Sequence, residues 1–344
     1  MTSSSSGELR SREALSSEFR TAIYAQPRNL GAAREAFAGA INEIDLDVLR
    51  KGTIVLSGIG ASAHALTPAV LALRAAKKRA FAISPGELSK ARAAAIGDAF
   101  VLVSQSGASA ETVEALAHLD GAPVVAISAH GESPLAKAAG AWLPLGPVRD
   151  TWVATLSYTA TLQALGMLCD ALLGTSSGWR DLSDLASEVL ERTDAIAQRI
   201  GENFAEVAAI DAVGAGAARA SAGETALLVR EGLRLPAAGM ETRDYLHGPL
   251  EAVTDGFGCV VFGRARELEL AAELESFGAS VALITDQAAA AVPHLDAIEI
   301  PHVPDLAAPI LQILPVQLLI DHVARRRGLE IGRLRRHQPD TKVV

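Results

Sequence analysis

The sequence predicts an α/β protein with two tandem doubly wound parallel-sheet domains, each with helices on both faces of its sheet. Short β-branched runs alternate with longer Ala- and Leu-rich stretches whose apolar residues recur at three- and four-residue spacing. The strand spacing of the first half also recurs in the second. Val101 follows Ile54 by 47 residues. Cys259 follows Ile210 by 49 residues, as two copies of one α/β unit would produce.

Nine runs are predicted as strands because they are short, apolar and bounded by turn-forming residues. They lie at 53–58, 80–84, 99–105, 123–128, 141–145, 209–214, 259–263, 281–285 and 297–301. The stretch 160–205 has no strand signal and is predicted as a helical connection, with the domain boundary near Gly178. We therefore expect a disordered lead-in over 1–20, a first domain over 21–177, a second over 178–330 and a C-terminal tail over 331–344.

Composition excludes several classes of protein. With 344 residues, 49% of them apolar and 21% charged, the chain can bury a substantial core, which excludes disordered and fibrous proteins. A net charge of -9 opposes a general affinity for nucleic acid or an anionic membrane, so an anionic ligand must be held locally. Cys169 and Cys259 have neither metal-site nor disulfide spacing, which favours a reducing cytosol.

No targeting or membrane-spanning segment is expected. The first residues, MTSSSSGEL, lack the apolar core of a signal peptide. The most apolar long segment, 308–320, is interrupted by Gln312, Pro315 and Gln317 and falls short of the roughly 20 residues that span a bilayer.

The sharpest local signal is the run Ser104-Gln105-Ser106-Gly107-Ala108-Ser109, here called the serine loop. It follows a predicted strand and precedes a predicted helix. Free backbone N–H groups at a helix start, together with serine hydroxyls, form a binding site for a phosphate group. The alternative is that Ser106 or Ser109 only caps the helix.

A second loop, Gly58 to Ala63, follows the first predicted strand and matches the G-x-G-x-x-A form of a dinucleotide-binding turn. An acid for the ribose is expected about 20 residues later. The sequence has Lys77-Lys78-Arg79 there instead. A nucleotide site therefore stays only an alternative for this loop.

Two candidate proton-transfer residues lie in the second half. Glu231 has apolar neighbours in a predicted helix, so its carboxylate could be desolvated and its pKa raised toward that of a general base. His247 precedes Gly248-Pro249, a turn, where it could exchange protons near neutral pH. Each also has an ordinary structural interpretation, a solvated helix residue and a turn cap respectively.

The C-terminal segment from about residue 324 is basic and contains Lys342. Its default interpretation is a solvated tail. Its arginines raise RNA binding as an alternative, but no aromatic residue lies among them to stack on bases.

Taken in order, these segments resemble the double sugar isomerase (SIS) domain family, which includes the isomerase half of glutamine-dependent glucosamine-6-phosphate synthase. The resemblance covers most of the chain from about residue 25, and it implies two flavodoxin-like domains. The segments that carry it are GIGAS (58–62), SQSGAS (104–109), WVAT (152–155), the helix ending at Glu231 with HGPL (247–250) sixteen residues later, and 305–324.

The resemblance assigns roles to individual residues. Glu231 corresponds to the carboxylate that transfers a proton between C1 and C2, and His247 to a ring-opening histidine that reaches into the partner's site in a homodimer. Lys342 corresponds to a tail lysine that can form a Schiff base with a ketose, in a tail that closes over the site. The implied sugar-phosphate contacts are Ser62, Ser104, Gln105, Ser106, Ser109, Val153 and Thr155.

The sequence also departs from the family's synthases. The first domain begins almost at once, so the amide-hydrolysing domain is expected to be missing. Two family lysines are replaced, by Leu228 and Ser157. The resemblance therefore points to stand-alone members.

The expected function is a cytosolic phosphosugar aldose–ketose isomerase that deaminates a 2-amino-2-deoxyhexose 6-phosphate to a ketose 6-phosphate and ammonia. No metal or redox cofactor, nucleic acid or membrane partner is expected. The alternatives are a deglycase acting on a fructosamine 6-phosphate and a non-catalytic sugar-phosphate sensor.

Overall fold

The computed structural model describes residues 4–343 except 92, 120, 147, 288–294, 296, 333 and 337; for 4–17, 93 and 94 it describes the backbone alone. In this part of the chain, ten strands form two five-stranded parallel sheets, as the sequence predicts. The helices are α1 Ser4–Asn42, α2 Asp47–Arg50, α3 Ala61–Ala75, α4 Pro85–Leu88, α5 Ala93–Ile96, α6 Ala110–Ala117, α7 Pro134–Ala138, α8 Leu156–Leu173, α9 Leu182–Phe204, α10 Ala218–Leu228, α11 Thr242–Leu246, α12 Arg266–Ser276 and α13 Ala308–Arg326.

The first sheet has the order β2-β1-β3-β4-β5. Its strands are β1 Thr53–Gly58, β2 Arg79–Ile83, β3 Ala99–Val103, β4 Val124–Ser128 and β5 Ala141–Pro144. The central strands β3 and β4 are buried along their whole length, because helices cover both faces of the sheet.

The second sheet has the order β10-β9-β8-β6-β7. Its strands are β6 Ala209–Gly214, β7 Ala237–Met240, β8 Phe257–Phe262, β9 Ser280–Thr285 and β10 Ala297–Glu299. Strand β7 was not predicted, since Ala-Ala-Gly-Met has neither a β-branched nor an aromatic residue. Its small side chains have a packing reason: a Cβ on Gly239 would lie 2.5 Å from the carbonyl oxygen of Ala222, on helix α10.

The two domains meet along helices α3 and α10, which follow the first strand of each sheet. Gly223 of α10 lies against His64 of α3, where a Cβ on the glycine would be 2.3 Å from the ring Nδ1. The largest hydrophobic core runs continuously from the first sheet through α8, α9 and α13 to the second sheet. Helices α8 and α9 are the helical connection that the sequence predicts over 160–205.

Helix α1 begins at Ser4, so it includes most of the range 1–20 for which the sequence predicts a disordered lead-in. This differs from the prediction because the helix continues beyond the residues that anchor it. Phe19 and Ile23 are fully buried. Gln26 donates from Nε2 to Gln317 Oε1 of α13 at 2.7 Å. Arg20 bridges Asp194 and Asp321, so α1 is fixed to both α9 and α13.

Within the described residues, one helix is long and apolar enough to cross a bilayer by length and composition alone, namely Leu156–Leu173. It is α8, and most of it is buried inside the protein. Its apolarity is explained by its position in the continuous core.

Candidate functional site

A cavity of about 280 Å³ lies where the carboxyl edge of the first sheet faces the second domain. We call it the central cavity. Its wall comes from both domains and from the C-terminal tail. It is lined by residues 59–62, 103–106, 109, 150–152, 154, 157, 227, 231 and 342. A crevice at the carboxyl ends of parallel strands is where open α/β sheets bind ligands.

The serine loop forms one wall of the central cavity, directly after β3 and at the start of α6. Ser109 is the N-cap residue of α6, yet its side chain makes no capping hydrogen bond to the helix. Instead Ser109 Oγ accepts a hydrogen bond from Ser104 Oγ at 3.0 Å. The prediction that Ser109 only caps the helix is therefore wrong. Ser109 is part of the wall of the central cavity. Ser106 Oγ accepts from the Ala108 N–H at 3.3 Å.

Gly107 lets the serine loop turn tightly above the sheet. Its φ is +64°, a conformation that favours glycine. A Cβ there would lie 2.1 Å from Ser133 Oγ. The carbonyl oxygen of Gly107 also accepts from the Leu135 N–H at 3.0 Å, which fixes the loop against α7.

The C-terminal tail lies on the serine loop. Lys342 Nζ donates to Ser106 Oγ and to Ser109 Oγ, both at 3.0 Å. The Val343 N–H donates to the Ala108 carbonyl at 2.9 Å, so the tail pairs with the loop through its backbone as well. Burial lowers the pKa of Lys342, and the charge of Glu111 partly opposes that shift. The ammonium group thus occupies the position where the serine loop would receive an anion.

Glu231 faces the serine loop from the second domain. It lies in a π-helix, Val229–Leu233, that continues α10 and ends at Arg234 with a left-handed φ of +60°. Short π-helical turns occur frequently at functional sites because they displace side chains from the regular helix face. Burial raises the pKa of Glu231 to about 7. Such a carboxyl group can both take and return a proton near neutral pH.

A second carboxyl group, Glu224, lies seven residues before Glu231 on α10. It is completely buried, and neither of its oxygens has a hydrogen-bond partner among the described residues. Burial raises its pKa well above the usual value, and the charges of Glu231 and Asp150 add to this. Sequence reasoning missed Glu224, although seven residues are two helical turns and place both groups on one face.

Asp150 was also missed. Its Oδ1 accepts from Thr155 Oγ1 and from the Leu156 N–H, each at 2.7 Å, and its Oδ2 accepts from the Ser157 N–H at 3.1 Å. These bonds provide acceptors for the first backbone N–H groups of α8. They also hold the 150–157 segment against the cavity. No local sequence pattern indicates that Asp150 caps α8, because the residue lies six positions before the start of that helix.

The structure brings together most of the residues that the sequence analysis singles out. Ser62, Ser104, Gln105, Ser106, Ser109, Glu231 and Lys342 all line the central cavity. Val153 and Thr155 are buried and are not among the lining residues. The hydroxyl of Thr155 donates to Asp150 instead. His247 directly follows α11, is exposed and lies outside the lining.

In the part of the chain that the structure describes, no group of three or more His, Cys, Asp or Glu side chains is arranged to hold a metal ion. Both cysteines are free and buried.

The chain is similar in sequence to known sugar-phosphate enzymes. Residues 48–173 match the SIS domain family model. The chain is 28% identical over 333 residues to glutamine–fructose-6-phosphate aminotransferase [isomerizing] of Pyrobaculum aerophilum, with 90% of this chain and 54% of that protein covered. It is 29% identical over 258 residues to the aminotransferase of Bartonella henselae, with 68% and 42% covered. The chain thus spans about half the length of the curated relatives it matches.

Solved structures share the fold. The C-terminal domain of glucosamine-fructose-6-phosphate aminotransferase from Francisella tularensis matches with a TM-score of 0.77 at 21% identity, covering 92% of this chain and 98% of that one. Glucosamine-6-phosphate deaminase from Thermotoga maritima matches with a TM-score of 0.73 at 23% identity, covering 95% and 100%. Tagatose-6-phosphate ketose/aldose isomerase from Escherichia coli matches with a TM-score of 0.77 at 21% identity, covering 95% and 96%.

Proposed function

The chain contains an SIS domain and is homologous to the isomerase domain of glutamine–fructose-6-phosphate aminotransferase, and from this premise we propose that it is a phosphosugar isomerase that releases an amine. Its substrate would be a 2-amino-2-deoxyhexose 6-phosphate and its products a ketose 6-phosphate and ammonia. One observation carries the proposal: a carboxyl group with a pKa raised to about 7 shares a cavity with a loop of serine hydroxyls.

The serine loop is proposed to bind the phosphate group. The hydroxyls of Ser104, Ser106 and Ser109 and the first N–H groups of α6 are donors on one wall of the cavity. Lys342 already donates to two of these hydroxyls, so its ammonium group would meet a bound phosphate directly. Binding the unreactive end of the sugar positions its C1 and C2 atoms toward Glu231.

Glu231 is proposed to transfer the proton. Once His247 of the partner subunit has opened the sugar ring, Glu231 removes the proton from C2 and an enolamine forms. The same carboxyl group returns the proton to C1, which leaves an imine at C2. Water then adds to C2, the C2–N bond breaks, and ammonia departs with the ketose phosphate. The electrons stay within the substrate, so no oxidant or reductant is consumed.

A homodimer is part of this proposal. His247 is exposed and lies outside the central cavity of its own chain, so we propose that it acts at the site of another chain. A two-fold symmetric contact would exchange the histidines between two sites. Refolding inactive Glu231→Gln protein with inactive His247→Ala protein should restore part of the turnover through hybrid dimers. Mixtures that stay inactive while both parents bind ligand would exclude a shared site.

We propose a cytosolic location, since both cysteines are free and buried and a reducing compartment suits them.

A panel of hexose and hexosamine 6-phosphates tests the function, with ammonia and ketose measured in the same reactions. Equal amounts of both products indicate a deaminase, whereas binding without turnover indicates a sensor. Glu231→Gln should abolish turnover and keep phosphosugar binding. Glu267→Gln, a carboxylate in the second domain outside the central cavity, is the matched control.

A deglycase is the second candidate function, because a group of arginines lies on the other side of Glu231. Such an enzyme uses the same phosphate loop and the same base on a fructosamine 6-phosphate.

A further inference from the structure

A second crevice lies at the carboxyl edge of the second sheet, between β6 and β8, where the strand order reverses. Its volume is about 250 Å³, close to that of the central cavity, and we call it the second-domain cleft. It is lined by residues 215–218, 262–264, 267, 284–286, 300, 301, 303, 305, 308 and 312. Open α/β sheets bind ligands at such a point. The second domain therefore offers a ligand crevice that the proposed reaction does not use.

The side chains that line the second-domain cleft carry a net negative charge. Three are carboxylates, namely Glu267, Asp286 and Asp305, and one is the guanidinium of Arg264. Asp286 is paired with Arg264, and its Oδ2 also lies 2.6 Å from His302 Nδ1, so the charge of Asp286 is used within the protein. The excess of carboxylates favours a cationic group in the cleft and opposes a phosphate.

Glu267 is held in the wall of the second-domain cleft with one carboxylate oxygen unpaired. The residue is 8% exposed. Its Oε2 accepts from the Arg264 N–H at 3.3 Å, and its Oε1 has no donor among the residues that the structure describes. Gly263, with a φ of +147°, makes room for this side chain, because a Cβ there would lie 2.7 Å from Glu267 Oε2. Since buried polar atoms are nearly always hydrogen-bonded, Oε1 is placed to accept from a ligand in the cleft.

Gln312 and Thr285 add hydrogen-bond donors to the second-domain cleft. Gln312 Oε1 accepts from Ser221 Oγ at 2.6 Å, which fixes the orientation of the carboxamide. Its Nε2 has no acceptor in the part of the chain that the structure describes. Thr285 Oγ1 accepts from the Gln287 N–H at 3.1 Å, so its hydroxyl proton is available to another acceptor. A sugar hydroxyl both donates and accepts, so a polyhydroxylated ligand can pair with these donors as well as with Glu267.

We infer that the second-domain cleft binds a small polyhydroxylated amine without a phosphate group, such as an unphosphorylated amino sugar. Its ammonium group donates to Glu267 Oε1 in a charge-assisted hydrogen bond, and its hydroxyl groups pair with Gln312 and Thr285. A metal ion is not the expected cation, since the described residues contain no group of three or more His, Cys, Asp or Glu side chains arranged to hold one. The inference goes beyond the proposed function and does not depend on proton transfer by Glu231.

Calorimetry on the full-length protein near neutral pH tests the inference, with glucosamine and glucose as the probes. We expect glucosamine to bind at least tenfold more tightly than glucose, since only glucosamine carries an ammonium group. Glu267→Gln should remove most of this advantage, because the amide keeps the shape and loses the charge. Asp305→Asn changes an exposed carboxylate of the cleft, outside the core, and should reduce the advantage by a smaller factor.

The matched control is Glu269→Gln, which removes an exposed carboxylate from the same helix, α12, outside the cleft. It should leave the affinity for glucosamine unchanged. Saturating fructose 6-phosphate in the Glu231→Gln protein should also leave it unchanged, because a phosphosugar occupies the central cavity.

Three results would overturn the inference and leave the proposed function standing. The first is equal affinity for glucosamine and glucose in the wild-type protein. The second is displacement of glucosamine by fructose 6-phosphate, which would assign the binding to the central cavity. The third is undiminished glucosamine binding in both Glu267→Gln and Asp305→Asn. Failure of the protein to turn over any sugar phosphate would refute the proposed function alone.

Discussion

The two domains share a fold and differ at one equivalent loop. In the first domain Ser104, the residue after β3, donates its N–H to Ile127 of the neighbouring strand at 3.0 Å. In the second, Gly263 after β8 donates in the same way to Ile284 at 3.1 Å. The serine loop therefore corresponds to the loop that begins at Gly263, here called the arginine loop. The loops after the first strand of each domain also agree in backbone conformation. The φ angle is +59° at Gly60, after β1, and +58° at Gly216, after β6.

The charge and the backbone N–H of Arg264, in the arginine loop, are already paired with carboxylates of the protein. The guanidinium of Arg264 forms a paired interaction with Asp286, whose Oδ2 also lies 2.6 Å from His302 Nδ1. The Arg264 N–H donates to Glu267 Oε2 at 3.3 Å. The cleft beside it, of about 250 Å³, also contains Asp305. Its carboxylates oppose an anionic ligand. The comparison teaches that the fold supplies the crevice twice, while the loop side chains decide which crevice is suited to an anion.

The largest effect should come from Glu231, the carboxylate that the described part of the second domain contributes to the central cavity. Glu231→Gln should reduce turnover by about 10²–10⁴-fold, the usual contribution of a general base. The amide keeps the shape and loses the proton acceptor, so phosphosugar affinity should persist. Proton exchange at C1 or C2 in deuterated water follows the step directly. Wild-type exchange rates in the variant would assign the proton transfer to another group.

The two loops should differ in their response to single substitutions. Ser106→Ala should weaken phosphosugar binding by about 1–3 kcal/mol, the range for a lost hydrogen bond to a charged group. Arg264→Ala in the arginine loop should leave the affinity unchanged. Calorimetry with one sugar 6-phosphate measures both. Equal losses in both variants would break the distinction between the loops.

A pH profile sharpens the assignment of the base. Burial raises the pKa of Glu231 to about 7, and the proton acceptor is the ionised form. The value of kcat/KM should therefore fall about tenfold per pH unit below that pKa and level off above it. The same measurement on Glu267→Gln should give the wild-type curve. An acid limb with its midpoint near the usual glutamate pKa would exclude Glu231 as the base.

The smallest expected effect concerns stability. Gly216→Ala meets no atom within 4 Å and carries only the strain of a positive φ, about 1–2 kcal/mol. Gly107→Ala carries that strain and also brings a Cβ to 2.1 Å from Ser133 Oγ, so it should cost more. Urea unfolding of both variants gives the difference. A larger loss for Gly216→Ala would show that the serine loop adapts to the added Cβ.

Local patterns predicted the features that depend on local chemistry. Short apolar runs identified nine of the ten described strands, and the serine loop was recognisable because three of its six residues are serines. Strand β7 was not identified, because its residues are small where α10 packs closely against it and have low strand propensity. Glu224 and Asp150 were not identified either. Glu224 is close to Asp150 only in the folded chain, and Asp150 bonds to residues five to seven positions further along. The helical path of residues 4–20 likewise has no local apolar pattern to announce it.

The contact between Gly223 and His64 has a consequence for how ligands enter and leave. Because the two helices are this close and the core is continuous, we expect the two domains to keep a fixed arrangement. We then expect shielding of the central cavity from bulk water to depend on the few tail residues that pair with Ala108 and Ser109. We expect the residence time of the product to be set by detachment of this short segment. Crosslinking the tail to the loop should therefore trap a bound sugar phosphate, whereas crosslinking α3 to α10 should leave its release rate unchanged.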